Sequence, residues 1–316
     1  MGDPQPLVSA ARAVLICVRD LDAARSFYET GLGLTCTGVT DKIDPATRSL
    51  WGIGEGEIRV ARLTGPGDAF GMVELVAWEG STGEPIRDPS RPSDHGLLTL
   101  NFTTRDIERA LPHLTSLGAR FPAAPRAYEA GGRSIRESIG YAPGGERLTL
   151  LQVGDGETYS PHPFAGAVAT VGIVVPSFDA ACAFWCDTLG LTVALSDDKI
   201  GGAFTGSMGV PDETRMRMAI MTSGSNWTGK MMVYELTPPA GSAEARNASE
   251  RANGSYTGHW MVSLIAGDFD TLPEALHRAN VQVLRGPGEI ERPFVGRTSA
   301  MVILAPGGTP LEVTER

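Results

Sequence analysis

The stretch VRDLDAARSFYETGLGLT, residues 18–35, returns as VPSFDAACAFWCDTLGLT at 175–192, with half of its positions identical and a constant offset of 157 (18 against 175). A repeat near half the chain length requires the same local fold twice. Each copy follows a short β-branched apolar run, AVLICV or TVGIVV, of strand type. A polar turn comes next, then apolar residues at helical spacing: Leu21, Ala24, Phe27, Tyr28 and Leu32 in one copy, Phe178, Ala181, Phe184, Trp185 and Leu189 in the other. Gly33 and Gly190 then stand where a left-handed residue ends a helix. Strand-like segments follow, EIRVARLTG and GMVELVAW in the first copy, RMRMAIMTS and KMMVYELTP in the second.

A weaker form of the unit fills the gaps. HGLLTLNFTTRDIERALPHLTSLGARF and HWMVSLIAGDFDTLPEALHRANVQVL are again strand then helix, and both lead to strands entered through APGG. Four units therefore begin near residues 12, 94, 167 and 258. Each is too small to bury its own sheet, which argues for packing in pairs. The Pro- and Gly-rich segment at 156–166 reads as a linker, giving expected domains at 1–155 and 167–316.

The 316 residues suffice for about two ordinary domains. No apolar run reaches the ~18–20 residues of a membrane span, and the N-terminus lacks a signal-peptide layout, so the expectation is a cytoplasmic protein without a membrane partner. Net charge is −10, with 27 basic against 37 acidic residues and no basic cluster, which argues against nucleic acid. Cys17, Cys36, Cys182 and Cys186 are too few for a disulfide framework and read as thiols. The sequons at Asn101, Asn226, Asn247 and Asn253 are chance matches in a chain without a secretion signal. His113 and His277 fall in helices and read as structural, and His162 lies in the linker.

The turn V-x-D-L-x-x-A-x-x-F-Y, a helix ending GLGL, and a late strand entered through P-x-G with a following Glu resemble the vicinal oxygen chelate superfamily. That group contains glyoxalase I, methylmalonyl-CoA epimerase, extradiol ring-cleaving dioxygenases, fosfomycin-resistance transferases and metal-free bleomycin-binding proteins. The resemblance recurs once per unit over nearly the whole chain. It implies an α+β fold of four βαβββ modules paired into two incomplete-barrel domains around cavities.

In the metal-using members, ligands come from the first and last strands of each module. Carried onto the second half, the first position holds Thr170, the second Glu235 in VYELTP, the third His259 in GHWMVSL, and the fourth Glu312. Glu235, His259 and Glu312 form an N/O set suited to Mn, Fe, Ni, Zn or Mg, with Thr170 or water completing the shell. A lone strand Glu is usually a surface residue, but three coincident family positions favour the set. In the first half, Ala13, Glu74, His95 and Thr149 occupy the corresponding places and leave two ligands, Glu74 and His95, a degenerate site. Pairing module 1 with 4 would instead join Ala13 and Glu74 to His259 and Glu312. The sequence does not choose between the pairings.

The reading these residues support is a metal-dependent lyase or isomerase of the glyoxalase type, acting on a small carbonyl or aromatic-derived compound. Glu312 or Glu235 would serve as the base beside a polarising metal. A ring-cleaving dioxygenase is an alternative, weakened because Thr170 replaces a His ligand and GRTSAMVILAPGGTPLE has no His or Tyr before Glu312. A metal-free small-molecule binder is the third reading, and the losses at Ala13, Thr149 and Thr170 are what it would show. Trp227, Trp260, Met261 and Ser263 are expected to line the substrate pocket, with Met208, Met216, Met218, Met231 and Met232 nearby as core or pocket wall. Arg215 and Arg217 read as surface residues. The assembly is expected to be a monomer or homodimer.

Overall fold

Each module begins with a buried strand that hands the chain to a capped helix. Module 1 runs β1 (Ala13–Cys17), α1 (Leu21–Thr30), β2 (Thr35–Thr40), α2 (Pro45–Trp51), β3 (Ile58–Thr64) and β4 (Met72–Trp78). Module 2 runs β5 (Gly96–Thr103), α3 (Ile107–Ser116), β6 (Arg126–Ala130), β7 (Arg133–Tyr141) and β8 (Arg147–Val153). Module 3 runs β9 (Val168–Val174), α4 (Phe178–Cys182, continued as a π-helical stretch Ala183–Thr188), β10 (Thr192–Ile200), α5 (Ala203–Met208), β11 (Arg215–Thr222) and β12 (Lys230–Thr237). Module 4 runs β13 (Gly258–Ile265), α6 (Leu272–Arg278), β14 (Val283–Arg292), β15 (Gly296–Leu304) and β16 (Pro310–Thr314). This computed structural model describes residues 6–65, 69–156, 162 and 164–316; positions 157–161 and 163 of the expected linker lie outside the described residues.

The repeated turn works as a helix start. Asp20 accepts the N–H groups of Asp22 and Ala23 at 3.0 Å, Asp106 that of Arg109, and Ser177 that of Ala180. Each satisfies a donor that the first helical turn leaves without a partner. Gly33 and Gly190 take φ of 70° and 80° just past the helices, as their position predicts. Among the described residues, no helix is long and apolar enough to cross a membrane.

The strands form two eight-stranded sheets, β14-β15-β16-β13-β1-β4-β3-β2 and β10-β11-β12-β9-β5-β8-β7-β6. Module 1 therefore pairs with module 4, and module 2 with module 3. This corrects the expected division at the linker into an N-terminal and a C-terminal barrel, because each sheet takes one module from each half. The antiparallel seams are β1 with β13 and β5 with β9. All four seam strands are apolar and almost wholly buried, so their pattern suits any pairing and does not encode the choice.

The helix-side faces of both sheets share one continuous core, which contains Val14 and Ile16 of β1, Leu100 and Phe102 of β5, Val171 and Ile173 of β9, and Val262 and Leu264 of β13. The opposite faces hold separate clusters. One is built on Leu15, Trp51, Val60, Trp260 and Met261, the other on Leu98, Val174, Met216, Met218 and Met232.

A backbone exchange ties the two sheets together. Gly71 N–H donates to Ala11 O, Ala11 N–H to Gly229 O, Gly229 N–H to Val168 O, and Val168 N–H to Gly71 O, all at 2.8–3.0 Å. Gly71 and Gly229 have φ of 72° and 71°, and a Cβ on either would lie 2.3 Å from a carbonyl oxygen of the ring. We expect Gly71→Ala and Gly229→Ala each to lose at least about 1–2 kcal/mol from the left-handed backbone alone, checked by urea unfolding.

Candidate functional site

Strand register identifies equivalent positions in the four modules without outside reference. In module 1, Glu74 pairs with Leu15, two residues after Ala13. In module 4, Glu312 pairs with Ser263, two after Met261. In module 3, Met232 pairs with Gly172, two after Thr170, and in module 2, Thr149 pairs with Asn101, two after Thr99. The first sheet thus brings together Ala13, Glu74, Met261 and Glu312, and the second Thr99, Thr149, Thr170 and Met232.

Two carboxylates face each other in the first sheet, and an arginine lies between them. Arg292 Nη2 stands 2.7 Å from Glu74 Oε2 and 2.9 Å from Glu312 Oε2. Arg62 donates to Glu74 Oε1 through Nε at 2.8 Å and Nη2 at 2.7 Å. Trp51 Nε1 donates to Glu312 Oε1 at 2.7 Å. Glu74 and Glu312 are fully buried. Burial pushes the Glu74 carboxyl up, but Arg292 and Arg62 outweigh it and hold the group below its ordinary value. Burial likewise works against the Arg292 charge, and Glu312 and Glu74 reverse this and hold its guanidinium above the ordinary value.

Module 1 contributes the lid of this cluster. Asp44 caps α2 by accepting the Ala46 and Thr47 N–H groups, Pro45 opens the helix, and Gly52 at φ 67° ends it. Its last residue, Trp51, packs edge-to-face on Trp260 with ring centroids 5.9 Å apart. The signal for α2 was present in DPATRSLWG, but nothing in that stretch says it turns inward.

A divalent cation at these positions would need three or four N/O ligands with an open side. Ala13 and Met261 supply none suited to a hard cation, and both carboxylates are already neutralised by guanidinium groups. Among the described residues, no three His, Cys, Asp or Glu side chains are grouped to hold a metal ion. The donor set does not fit the metal that the resemblance implies.

The remaining expected site residues are dispersed. Glu235 is three residues beyond Met232, so its side chain leaves by the other face of β12, where Oε2 accepts the Phe178 N–H at 2.6 Å. It does not stand with Glu312. His259 precedes a bulge in the β1–β13 seam and lines a small void between the sheets with Arg87, Leu98, Glu146 and Arg147, where burial and Arg87 lower its imidazole to about 3. It is two residues short of the ligand position, which Met261 occupies. His95 pairs with the Asn247 loop outside either concave face. Trp260 and Met261 are core residues of the first sheet, and Ser263 is buried beside Glu312. Arg215 and Arg217 form exposed pairs with Asp198 and Asp179. The cysteines are all unpaired.

The concave face of the second sheet is open. A cavity of about 340 Å³ is walled by Met216, Met218, Ile220, Met232, Ile135 and Leu151, with Trp227, Lys230 and Arg133 at one edge. Trp227 is 54% exposed, and Lys230 Nζ lies 5.1 Å from its ring centre. Burial, then the nearby Arg133, lowers the Lys230 ammonium below its ordinary value. Around the ligand-equivalent positions the groups are neutral: Thr99 and Thr149 hydroxyls lie 3.0 Å apart, and Asn101 Nδ2 donates to Thr170 Oγ1 at 2.6 Å. Tyr128, on the cavity wall, donates to Glu137 Oε2 at 2.8 Å, and Ser207 to Oε1 at 2.6 Å. Burial raises the Glu137 carboxyl despite these bonds. Of these, Trp227 was expected from sequence as a pocket residue and Thr170 as a ligand position. Asn101 stands in the sequence only as a chance sequon, and Tyr128 and Glu137 carry no motif.

Removing Arg292 leaves Glu74 and Glu312 facing each other in a dry interior. Arg292→Met is expected to cost about 3–5 kcal/mol at neutral pH by urea unfolding. The sign with pH is specific. The Glu74 carboxyl is depressed in the wild type, so its stabilisation is present above the ordinary carboxylate range and lost as pH falls through the folded value. In the variant the two carboxyls repel and one retains its proton more readily, so the gap to wild type narrows toward acid.

The sequence model of the Glyoxalase/Bleomycin resistance protein/Dioxygenase superfamily matches residues 11–150 and again 167–313. Among solved structures, glyoxalase I from Zea mays is similar at 16% identity, over 97% of this chain and 92% of that one, with a TM-score of 0.65. A putative dioxygenase from Bacillus subtilis is similar at 12% identity, over 98% of this chain and 86% of that one, with a TM-score of 0.60. At such identities the likeness is one of fold. No curated protein matches the chain at a significant level. The two matched segments account for most of the sequence, and the chain belongs to the Glyoxalase/Bleomycin resistance protein/Dioxygenase superfamily.

Proposed function

We propose that the protein binds a small apolar or aromatic molecule with an anionic end, in the concave face of the second sheet and without a metal. The observation that carries this is the cavity of about 340 Å³ in that face, whose wall is largely methionine and aliphatic and whose edge holds Lys230, its ammonium lowered by burial and then by the nearby Arg133. Its volume lies within the roughly 300–1,000 Å³ usual for small-molecule pockets. Methionine side chains adapt to flat or irregular apolar shapes, and Trp227 offers a stacking surface at the mouth. An anionic group beside Lys230 would offset the burial that lowers its ammonium.

The lyase or isomerase reading needs a carboxylate that faces substrate beside a metal. Glu312 is held by Arg292 and Trp51 and is fully buried, and Glu235 caps α4 on the outer side of its sheet. No catalytic step through a metal follows from these residues. Ring cleavage makes the same demand on the same positions and is no better supported.

The test uses 1-naphthoate with the full chain in calorimetry and thermal unfolding, with and without a chelator. Binding is expected to survive chelation and, at ~100 times Kd, to stabilise the fold by about 2.7 kcal/mol. Met232→Trp fills the pocket and should abolish binding. Lys230→Glu should weaken it about 10-fold or more, as loss of a charged hydrogen bond is worth ~1.5–3 kcal/mol. Binding that requires a divalent ion, or that Met232→Trp leaves intact, would sink the reading.

A further inference from the structure

A second crevice, of about 480 Å³, lies away from both concave faces, between α1 and the turn that enters β8. Its apolar wall includes Phe27, Tyr28 and Ala24, and its polar floor is Glu146. Glu146 is 5% exposed, and its Oε1 has no hydrogen-bond partner. A buried carboxylate oxygen without a partner is costly, so it calls for a reason.

The turn itself does not supply one. Residues 142–146, APGGE, close with Ala142 N–H on Glu146 O at 2.8 Å and Gly145 N–H on Ala142 O at 2.9 Å. Module 4 builds the same turn from 305–309, APGGT, with the corresponding bonds at 2.9 Å, and places Thr309 where module 2 has Glu146. The backbone needs no carboxylate there. Gly144 keeps the space open, since a Cβ on it would lie 2.3 Å from Glu146 Oε1.

The charged and titratable groups around Glu146 do not neutralise it. Tyr28 approaches from α1, Tyr141 from β7 and Arg147 from β8, Arg87 lines both the crevice and the small inner void, His259 lines the void, and no salt bridge reaches the carboxylate among the described residues. Burial raises the Glu146 carboxyl to about 7, and burial, then the Glu146 charge, raises the Tyr28 hydroxyl. The crevice is also lined by Arg19, held on the Gly83 carbonyl, by Arg120, over the Tyr141 ring, and by Asp20, whose carboxylate accepts the first N–H groups of α1.

We propose that this crevice binds a small organic ammonium ion with an anionic tail, the amine seated against Glu146 and Tyr28 and the tail directed at Arg19 and Arg120. The ammonium supplies the donors and the positive charge that Glu146 lacks, and the apolar wall accepts the carbon skeleton between the two ends. An amino acid or short peptide has this chemistry.

Isothermal titration of the full chain with leucine, 3-methylbutylamine and 4-methylpentanoate separates the contributions of the two ends. Leucine should bind most tightly, the amine more weakly, and the acid without any dependence on Glu146. Glu146→Gln should weaken leucine about 10- to 100-fold, as expected for losing a charge-assisted hydrogen bond. With the carboxyl near 7, wild-type affinity should fall about 10-fold from pH 8 to pH 6 as Glu146 takes a proton, a dependence absent from the variant. The folding control runs the same way: a raised carboxyl destabilises the ionised fold, so Glu146→Gln should melt no lower than wild type at pH 8. If Glu146→Gln does not fold, Glu146→Asp withdraws the carboxylate by one methylene and should give the same loss. Absence of leucine binding to wild type, or binding that neither Glu146 substitution alters, would overturn the proposal.

Discussion

Arg292 keeps its guanidinium charged with 1% of its surface exposed because Glu74 comes to it from module 1 and Glu312 from module 4. The three side chains reach across the β1–β13 seam, which joins the first and last modules of the chain. Buried ion pairs of this kind rarely add stability over well-packed apolar groups, since desolvation consumes most of the Coulomb gain. Their consequence is geometric. Each carboxylate accepts from a second donor, Arg62 for Glu74 and Trp51 for Glu312, so the position of α2 over the sheet is tied to the same network. Arg62 also donates to the Phe294 carbonyl at 3.0 Å, fastening the β14–β15 turn to the other side.

The first sheet is thereby filled and the second is left open. Equivalent registers hold Glu74 and Glu312 in one, Met232 and Thr149 in the other, and the surroundings follow from that difference. Two negative groups in a dry interior demand positive partners, which occupy the space a ligand would use. A methionine and a threonine demand nothing of the kind, so the concave face of the second sheet stays hollow and largely apolar. The short helices α2 and α5 occupy matching places in modules 1 and 3, yet only α2 ends in a tryptophan directed at a carboxylate.

The sequence showed the modules clearly because strand-to-helix changes of period and cap residues are local signals. Asp20 and Ser177 of the polar turns cap the helices that follow, and Gly33 and Gly190 take the expected conformation. Pairing was not legible, since any two of four equally apolar strands can form a seam. Glu235 was misplaced because YEL in β12 looks like VEL in β4, whereas the register to β9 sets Met232 beside Gly172 and puts Glu235 on the opposite face. His259 was misplaced by its Gly-His context, though counting back from the turn at Asp268 reaches Met261, as counting back from Asp20 reaches Ala13. Arg62 and Arg292 went unnoticed because an arginine in a strand is ordinarily a surface residue, and only a contact far along the chain reveals the carboxylate it serves.

Three buried glutamates show how environment, and not residue type, sets what each can do. Glu74 is met by two guanidinium groups, which neutralise it and hold it below its ordinary value. Glu137 is met by two neutral hydroxyls, which soften but do not cancel the effect of burial. Glu146 is met by no donor at Oε1, and its carboxyl rises to about 7. Only in the third case does the fold leave both an unmatched charge and the room for something to match it. The carboxylates of the first sheet are spent on its own guanidinium groups, whereas the turn of module 2, outside both concave faces, keeps a buried carboxylate oxygen open to a partner.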